Sequence, residues 1–466
     1  MKVLKQDLWA KSLGRGLSGT LILAAVILAL GCTHVKNARL AQDASKAPPG
    51  ERTVTAAEAG LSEGTELTID RAVEIALQYH PQMVQAKQSL VIAETQAMDA
   101  VSGYLPTVKS QAQYERTTQN SSAKGAPSPS NDAVDSYSAG VNLDQLLLDF
   151  GRTSAAVRQA GANKLAAEHN LQSTSNDITF QVRQSYYDLC KSQALFTVAK
   201  DTEHEFEVHL DQTKALVEVG RRIQYDLVKA EVDLSNAQLN VISADNAVKI
   251  ARATLAQAMG LAEDPGFTVV EPPVVEYQAD YETLMSQARE NNPDYLALVE
   301  KEKAASAGVD YSIADLFPSV SVGAGYNWNG SDFPLTWNWA FGPAISFDLF
   351  SGFRKVNGMD RAAATLRSTR AQKSELEQQL YVQLKQAQAN LEDAKKRMDL
   401  TTLAVSQAQD NLDLVTELYR IGRASAVDVT DAEVSLSTAK SNHVQARFDY
   451  LAAVAQIQRI TGGNGQ

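Results

Sequence analysis

Apolar positions along this chain change period in a fixed order, and the order occurs twice. From Leu67 to Leu77 they fall on one face of a helix, with Thr68 placed to cap it. That helix is expected to stop at His80-Pro81, because the residue before a proline is pushed out of the α region. A second helix is predicted to about Tyr104, where Leu105-Pro106 ends it. The period then drops to that of a strand: Val108, Ser110, Ala112 and Tyr114 alternate with Lys109, Gln111, Gln113 and Glu115, and Tyr137, Ala139, Val141 and Leu143 with Ser138, Gly140, Asn142 and Asp144. Further along, Val320, Val322, Ala324, Tyr326 and Trp328 alternate with Ser319, Ser321, Gly323, Gly325 and Asn327. Trp337, Trp339, Phe341, Ile345 and Phe347 then alternate with Asn338, Ala340, Gly342, Ala344, Ser346 and Asp348. Two β-hairpins follow, about 106–148 and 318–348, each apolar on one face and polar on the other.

Between and after the hairpins the chain is free of proline, from Gly151 to Asp264 and from Gly352 to the C-terminus. In the second stretch Ala387, Ala394, Thr401, Ala408 and Val415, and likewise Leu391, Met398, Val405, Leu412 and Tyr419, recur every seven residues, the seam of a left-handed coiled coil. Gly220 and Gly422 divide the stretches into arms of roughly 69 and roughly 40 residues, so each reads as a helical hairpin with a glycine at its tip; the long arm would reach on the order of 100 Å.

The landmarks are in register. Pro81, Pro106 and Tyr114 return as Pro293, Pro318 and Tyr326, each 212 residues on. Val219-Gly220-Arg221, Asp226 and Ala230-Glu231-Val232 return as Ile421-Gly422-Arg423, Asp428 and Ala432-Glu433-Val434, 202 residues on. The shorter offset fits the loops: Thr117 to Asp135 is Ser/Asn/Pro-rich and about ten residues longer than its counterpart, Gly330 to Thr336. The expected organisation is a first repeat over 67–264, a linker over 265–279 and a second repeat over 280–466, one pseudo-symmetric body.

The N-terminus changes the picture. Lys2, Lys5, Lys11 and Arg15 precede an apolar run from Leu21 to Leu30 and then Gly31-Cys32, which reads as an export signal over 1–31. Its end resembles the lipobox of bacterial lipoproteins, which implies acylation of Cys32; Thr33 in place of an aspartate favours the outer membrane by the same likeness. Residues 32–66 are aperiodic and small or charged, an expected lipidated tether. The other cysteine, Cys190, is expected to be a packing residue. After residue 32 no apolar run is long enough for a transmembrane helix, so a membrane crossing would have to be made by strands.

Four strands cannot close a barrel, and a two-faced sheet in a bilayer tolerates no open edge, so the chain is expected to share a barrel with copies of itself. Trp328, Trp337 and Trp339 lie near the second hairpin's loop, as an interfacial aromatic girdle requires. A net charge of −12 without a basic patch argues against nucleic acid. No phosphate-cradling loop, paired cysteine motif or zinc-protease helix occurs, and His204 and His209, five apart, do not share a helical face; no catalytic residue, metal site or cofactor is expected.

The doubled order of short helix, break (His80-Pro81, Asn292-Pro293), helix, strand entry (Leu105-Pro106, Phe317-Pro318), hairpin, glycine exit (Gly151-Arg152, Gly352-Phe353-Arg354) and long helical hairpin resembles the outer membrane factor family typified by TolC, over about Leu67 to Gly462. The resemblance implies a mostly α fold with a membrane β-barrel. In it, duplicated coiled-coil hairpins of a homotrimer form a periplasmic tunnel, and four strands per chain build a shared twelve-stranded barrel. It implies an exit duct for efflux, anchored in the bacterial outer membrane and its lipid and working with a periplasmic adaptor and an inner membrane pump, with the resistance-nodulation-division type favoured by lipidation. The adaptor would meet Val219, Gly220, Arg221, Ile421, Gly422 and Arg423. The constriction would use Tyr419, Asp428 and Asp431, with Asp226 in the first hairpin's equivalent place and Lys229 opposite Asp431. The family's gate arginine, two after the second glycine, is Ala424 here, and the substrate is not legible. Type I protein secretion is the alternative within this reading. A periplasmic adaptor or coiled-coil scaffold lipoprotein is the alternative outside it, disfavoured because an adaptor has one hairpin and flanking soluble modules.

Overall fold

A computed structural model describes residues 54–118, 133–264, 266–278 and 280–463. Cys32, the export signal and most of the tether lie outside the described residues. Two short helices open the body: α1 (Ile69–Tyr79), capped by Thr68, and α2 (Pro81–Ser102). His80 separates them with an extended backbone (ψ 129°), and its Nδ1 accepts from the Gln82 N–H at 3.2 Å. Asn292 does the same between α5 (Tyr281–Asn291) and α6 (Pro293–Ala314), its Oδ1 accepting from the Tyr295 N–H at 3.0 Å. Each proline break is thus also a cap: proline at the first helical position gives up an N–H that had no helical partner.

The strands β2 (Thr107–Thr118), β3 (Ala133–Leu148), β5 (Ser319–Gly330) and β6 (Thr336–Ser346) form one antiparallel sheet in that order. The period-2 pattern holds across all four. Val108, Leu143, Ala324 and Phe341 lie in one row and Ser110, Val141, Tyr326 and Trp339 in the next, whereas Gln111, Gly140, Asn327 and Asn338 line the opposite face. On that polar face the asparagines need glycine: a Cβ at Gly140 would lie 2.0 Å from Asn327 Oδ1, and one at Gly325 2.6 Å from Asn142 Oδ1. Among the described residues β2 and β6 are the sheet's two unpaired edges.

Each hairpin feeds a helix of 67 residues, α3 (Arg152–Glu218) and α7 (Arg354–Arg420), which returns through α4 (Gln224–Ala258) or α8 (Ala426–Thr461). At 1.5 Å per residue each long helix extends about 100 Å. Towards the sheet α3 packs on α2 and α6, through ion pairs such as Lys164–Glu94 and Arg152–Asp315; towards the tip it packs on α4 and α8. All ten heptad positions of α7 are buried or half-buried, most against α8.

The tether is shorter than the sequence pattern predicts. Val54, Ala56, Ala59 and Leu61 are buried in the core beside Tyr186, Leu255 and Met259, and β1 (Glu66–Leu67) pairs in parallel with β4 (Thr268–Val269) of the linker. The Tyr186 hydroxyl sits between these strands, 2.8 Å from Leu67 O and accepting from the Val270 N–H at 3.0 Å. Four apolar side chains spread over eight residues carry no period that a pattern search can see, yet they suffice to dock the segment. Cys190 is buried in the same core, which pushes its thiol up to about 12 and suits a packing residue. No helix among the described residues is long and apolar enough to cross a membrane.

Candidate functional site

The two helical tips are built by one backbone device. Gly220 (φ 73°) and Gly422 (φ 79°) adopt the left-handed conformation and donate to Val217 O and Tyr419 O, while the next N–H, of Arg221 or Arg423, reaches back to Leu216 O or Leu418 O. These are helix C-caps of the Schellman type, which is why glycine stands at both positions. Nothing lies within 4 Å of a Cβ built on either glycine. Val219, Gly220 and Arg221, and Ile421, Gly422 and Arg423, are all exposed, so each tip presents an apolar residue (69 % exposed for Val219, 54 % for Ile421) beside an arginine.

After the turns the tips diverge. Ser425 caps α8 with a complete capping box: its Oγ accepts from the Asp428 N–H at 3.2 Å, and the Asp428 carboxylate accepts from the Ser425 N–H at 2.7 Å and hydroxyl at 2.8 Å. The Ser425 N–H, and then its hydroxyl, hold the Asp428 carboxyl below the usual range. Ile223, at the equivalent place before α4, supplies no side-chain cap.

The first tip contributes Arg222 instead. Its guanidinium stacks 4.1 Å from the Tyr419 ring centre, donates to Tyr419 O (3.2 Å) and Ala424 O (2.8 Å), and lies 4.0 Å from the Asp226 carboxylate. Tyr419, 1 % exposed, also packs its ring at a tilt against His209, centre to centre 5.3 Å, and its hydroxyl is hydrogen-bonded to Thr213 at 3.1 Å. Of the gate residues read from the sequence, Tyr419 and Asp226 therefore meet in one buried cluster around Arg222, while Asp428 and Asp431 lie together on an exposed face of α8. Tyr419 fills the space between α7 and α3 in this conformation. The arginine two residues after a tip glycine stands in the first repeat, Arg222, where the second has Ala424, and that spacing is its signal in the sequence.

Below this cluster Lys229, which the sequence places opposite Asp431, pairs with Asp233 at 2.7 Å. Thr430 donates to the same carboxylate at 3.0 Å, tying α8 to α4, and Thr202 and Ser437 join α3 to α8 at 3.0 Å. Among the described residues no group of three His, Cys, Asp or Glu side chains is placed to hold a metal ion.

At the other end of the molecule Trp328 and Trp337 are cross-strand partners, and Tyr326 contacts both rings, at 4.7 and 5.7 Å. The band continues through Tyr114, Tyr137 and Phe333, which the sequence reading did not include. Phe150 and Phe353 form a second aromatic level where the sheet meets the long helices. Both have positive φ (55° and 62°), a strained backbone for phenylalanine; Phe150 stacks on Phe317, and Phe353 meets Phe350 edge to face. Phenylalanines spread over three chain segments give no common spacing to detect.

A family model described as "Outer membrane efflux protein" matches residues 72–261 and 284–463, the two repeats. The outer membrane efflux protein BepC of Brucella suis biovar 1 (strain 1330) is 23 % identical over 419 residues, 88 % of each chain. Among solved structures, VceC from Vibrio cholerae superposes with a TM-score of 0.75 at 20 % identity, over 85 % of this chain and 96 % of its own. The Campylobacter jejuni CmeC outer membrane channel superposes with a TM-score of 0.77 at 15 % identity, over 85 % of this chain and 86 % of its own.

Proposed function

The chain belongs to the outer membrane efflux protein family, and we propose that three copies of it form the exit duct of a tripartite efflux system, lipid-anchored in the outer membrane and reaching through the periplasm to an adaptor and an inner membrane pump. The observation that carries this reading is the two-faced sheet with unpaired edges at β2 and β6, continuous with two helices of 67 residues. An open edge is untenable in a bilayer, and joining β6 of one copy to β2 of the next removes it. The helices point the same way: Val228, Val232, Leu239 and Ile242 on α4, and Leu400, Leu403 and Leu414 on α7, are exposed in one copy and call for apolar neighbours.

In this reading the Trp328, Trp337 and Trp339 band marks one membrane interface, Cys32 carries the acyl anchor, and the exposed Val219–Arg221 and Ile421–Arg423 turns receive the adaptor. Asp428 and Asp431, three residues apart on one exposed face, gather around the axis at the narrow end, where a ring of carboxylates attracts cations. The test has two measurements. Native mass spectrometry of the detergent-extracted protein should give a trimer, and a stable monomer of full strand content would overturn the shared barrel. In a planar bilayer the channel should be cation-selective and blocked by a trivalent cation, with both properties weakened in Asp428→Ala/Asp431→Ala; an unaltered block would place the ring elsewhere.

A further inference from the structure

Glu433 of α8 is a carboxylic acid in an unfavourable place. It is 6 % exposed, and its Oε2 is enclosed with no hydrogen-bond partner. The charged groups acting on it are Glu205 from α3 and Asp233 and Lys229 from α4. The long helix α7 meets this stretch of α8 with apolar side chains, Leu412 and, partly buried, Ala408 and Val415, around Ala432 and Leu436. Lys229 is committed to Asp233, and Thr430 donates to that same carboxylate. Ionised, Glu433 would be a buried anion beside two other carboxylates, with the one nearby cation already paired and no metal-binding group among the described residues.

We propose that Glu433 is a proton-operated latch in the seam between the two helical hairpins, holding a proton while α8 lies closed on α3 and α4 and releasing it to water when the hairpins part. The carboxyl O–H bond breaks, the proton goes to solvent, and the carboxylate gains hydration that the closed seam denies it. Burial first, then Glu205 and Asp233, push the group up to about 8 from its ordinary 4.5, with Lys229 opposing. The sign follows: the latch is fully engaged below the ordinary value and is lost as pH rises through about 8. His209, one turn along α3 from Glu205, sets the opposite limb. Burial lowers its pKa, and the charges around it on α4 divide, Asp233 and Asp226 raising it and Lys229 and Arg222 lowering it; the neutral ring packs on Tyr419, and its contribution is lost as pH falls.

The inference rests on the duct reading only in taking this seam as the tunnel's periplasmic mouth. The decisive measurement does not: amide exchange over residues 429–437 of the detergent-extracted full chain, corrected for the intrinsic pH dependence of exchange, at pH 6 to 9. The wild-type seam should lose protection as pH rises, by up to tenfold per unit below pH 8, the limit set by one proton per chain. Glu433→Gln, an uncharged isostere, should be flat above pH 6.5, and Glu205→Gln, a change at an exposed site, should end the sloping limb at a lower pH than in wild type and leave more protection above it, because removing a repulsive charge eases ionisation of Glu433 in the closed seam. A wild-type profile without slope, or the same slope in Glu433→Gln, would overturn the latch. Conductance in a planar bilayer then separates the two readings: a pH-dependent seam in a protein that forms no channel sinks the duct and leaves the latch standing.

Discussion

The two helical tips share a backbone and differ in almost everything attached to it. Both end a 67-residue helix in a left-handed glycine, and both send the next N–H back to close the last turn. The second tip then spends its side chains on itself: Ser425 and Asp428 cap their own helix. The first lacks that cap and spends Arg222 on its neighbour, holding the carbonyls of Tyr419 and Ala424. Duplication has kept the turn, whose geometry only glycine meets without strain, and let the roles of self-capping and cross-linking separate between the copies. The first tip thereby acts as the clasp and the second as the part held.

Arg222→Met should break that asymmetry most. It removes two charge-assisted hydrogen bonds from a mostly buried guanidinium, leaving Ala424 O without that donor and Tyr419 O with the Gly422 N–H alone, a loss of about 3 kcal/mol from contact between the tips. A larger open-state conductance in planar bilayers is the expected outcome, whereas Arg423→Met, at an exposed residue of the other tip, should leave conductance unaltered. Equal effects from the two substitutions would dissolve the distinction between clasp and held part.

Gly220→Ala and Gly422→Ala probe what the tips have in common. No neighbour obstructs the added methyl group, so the cost is the left-handed backbone alone, about 1 kcal/mol for each. The two should match in thermal shift and should both weaken retention of the adaptor in a pull-down. Full adaptor retention by a folded double mutant would reduce the glycines to caps.

The smallest effect sharpens the comparison most finely. Ser425→Ala should cost about 1 kcal/mol of local stability at α8, read by amide exchange in its first turn. Ile223→Ser places a hydroxyl three residues before Asp226, as Ser425 stands before Asp428, and can create the missing box. It should stabilise α4's first turn by a few tenths of a kcal/mol to about 1 kcal/mol, at the expense of the Asp226 contact with Arg222.

Much of this was legible in the residues. Proline breaks, period-2 alternation, heptads in α7 and two turn glycines are local or periodic signals, and they placed the hairpins, the long helices and both tips close to where the structure has them. Local chemistry writes such signals because backbone geometry repeats along an element. What the sequence could not decide is seen in one repeated tripeptide. Ala230-Glu231-Val232 and Ala432-Glu433-Val434 read alike, and the structure leaves Glu231 exposed while it buries Glu433 among acids from two other helices. The same holds for Arg222, whose partners lie about 200 residues away, and for Val54 to Leu61, which dock without a period. Burial, and the electrostatics that come with it, depend on which faces of separate helices meet, and that is settled only when the two hairpins pack together.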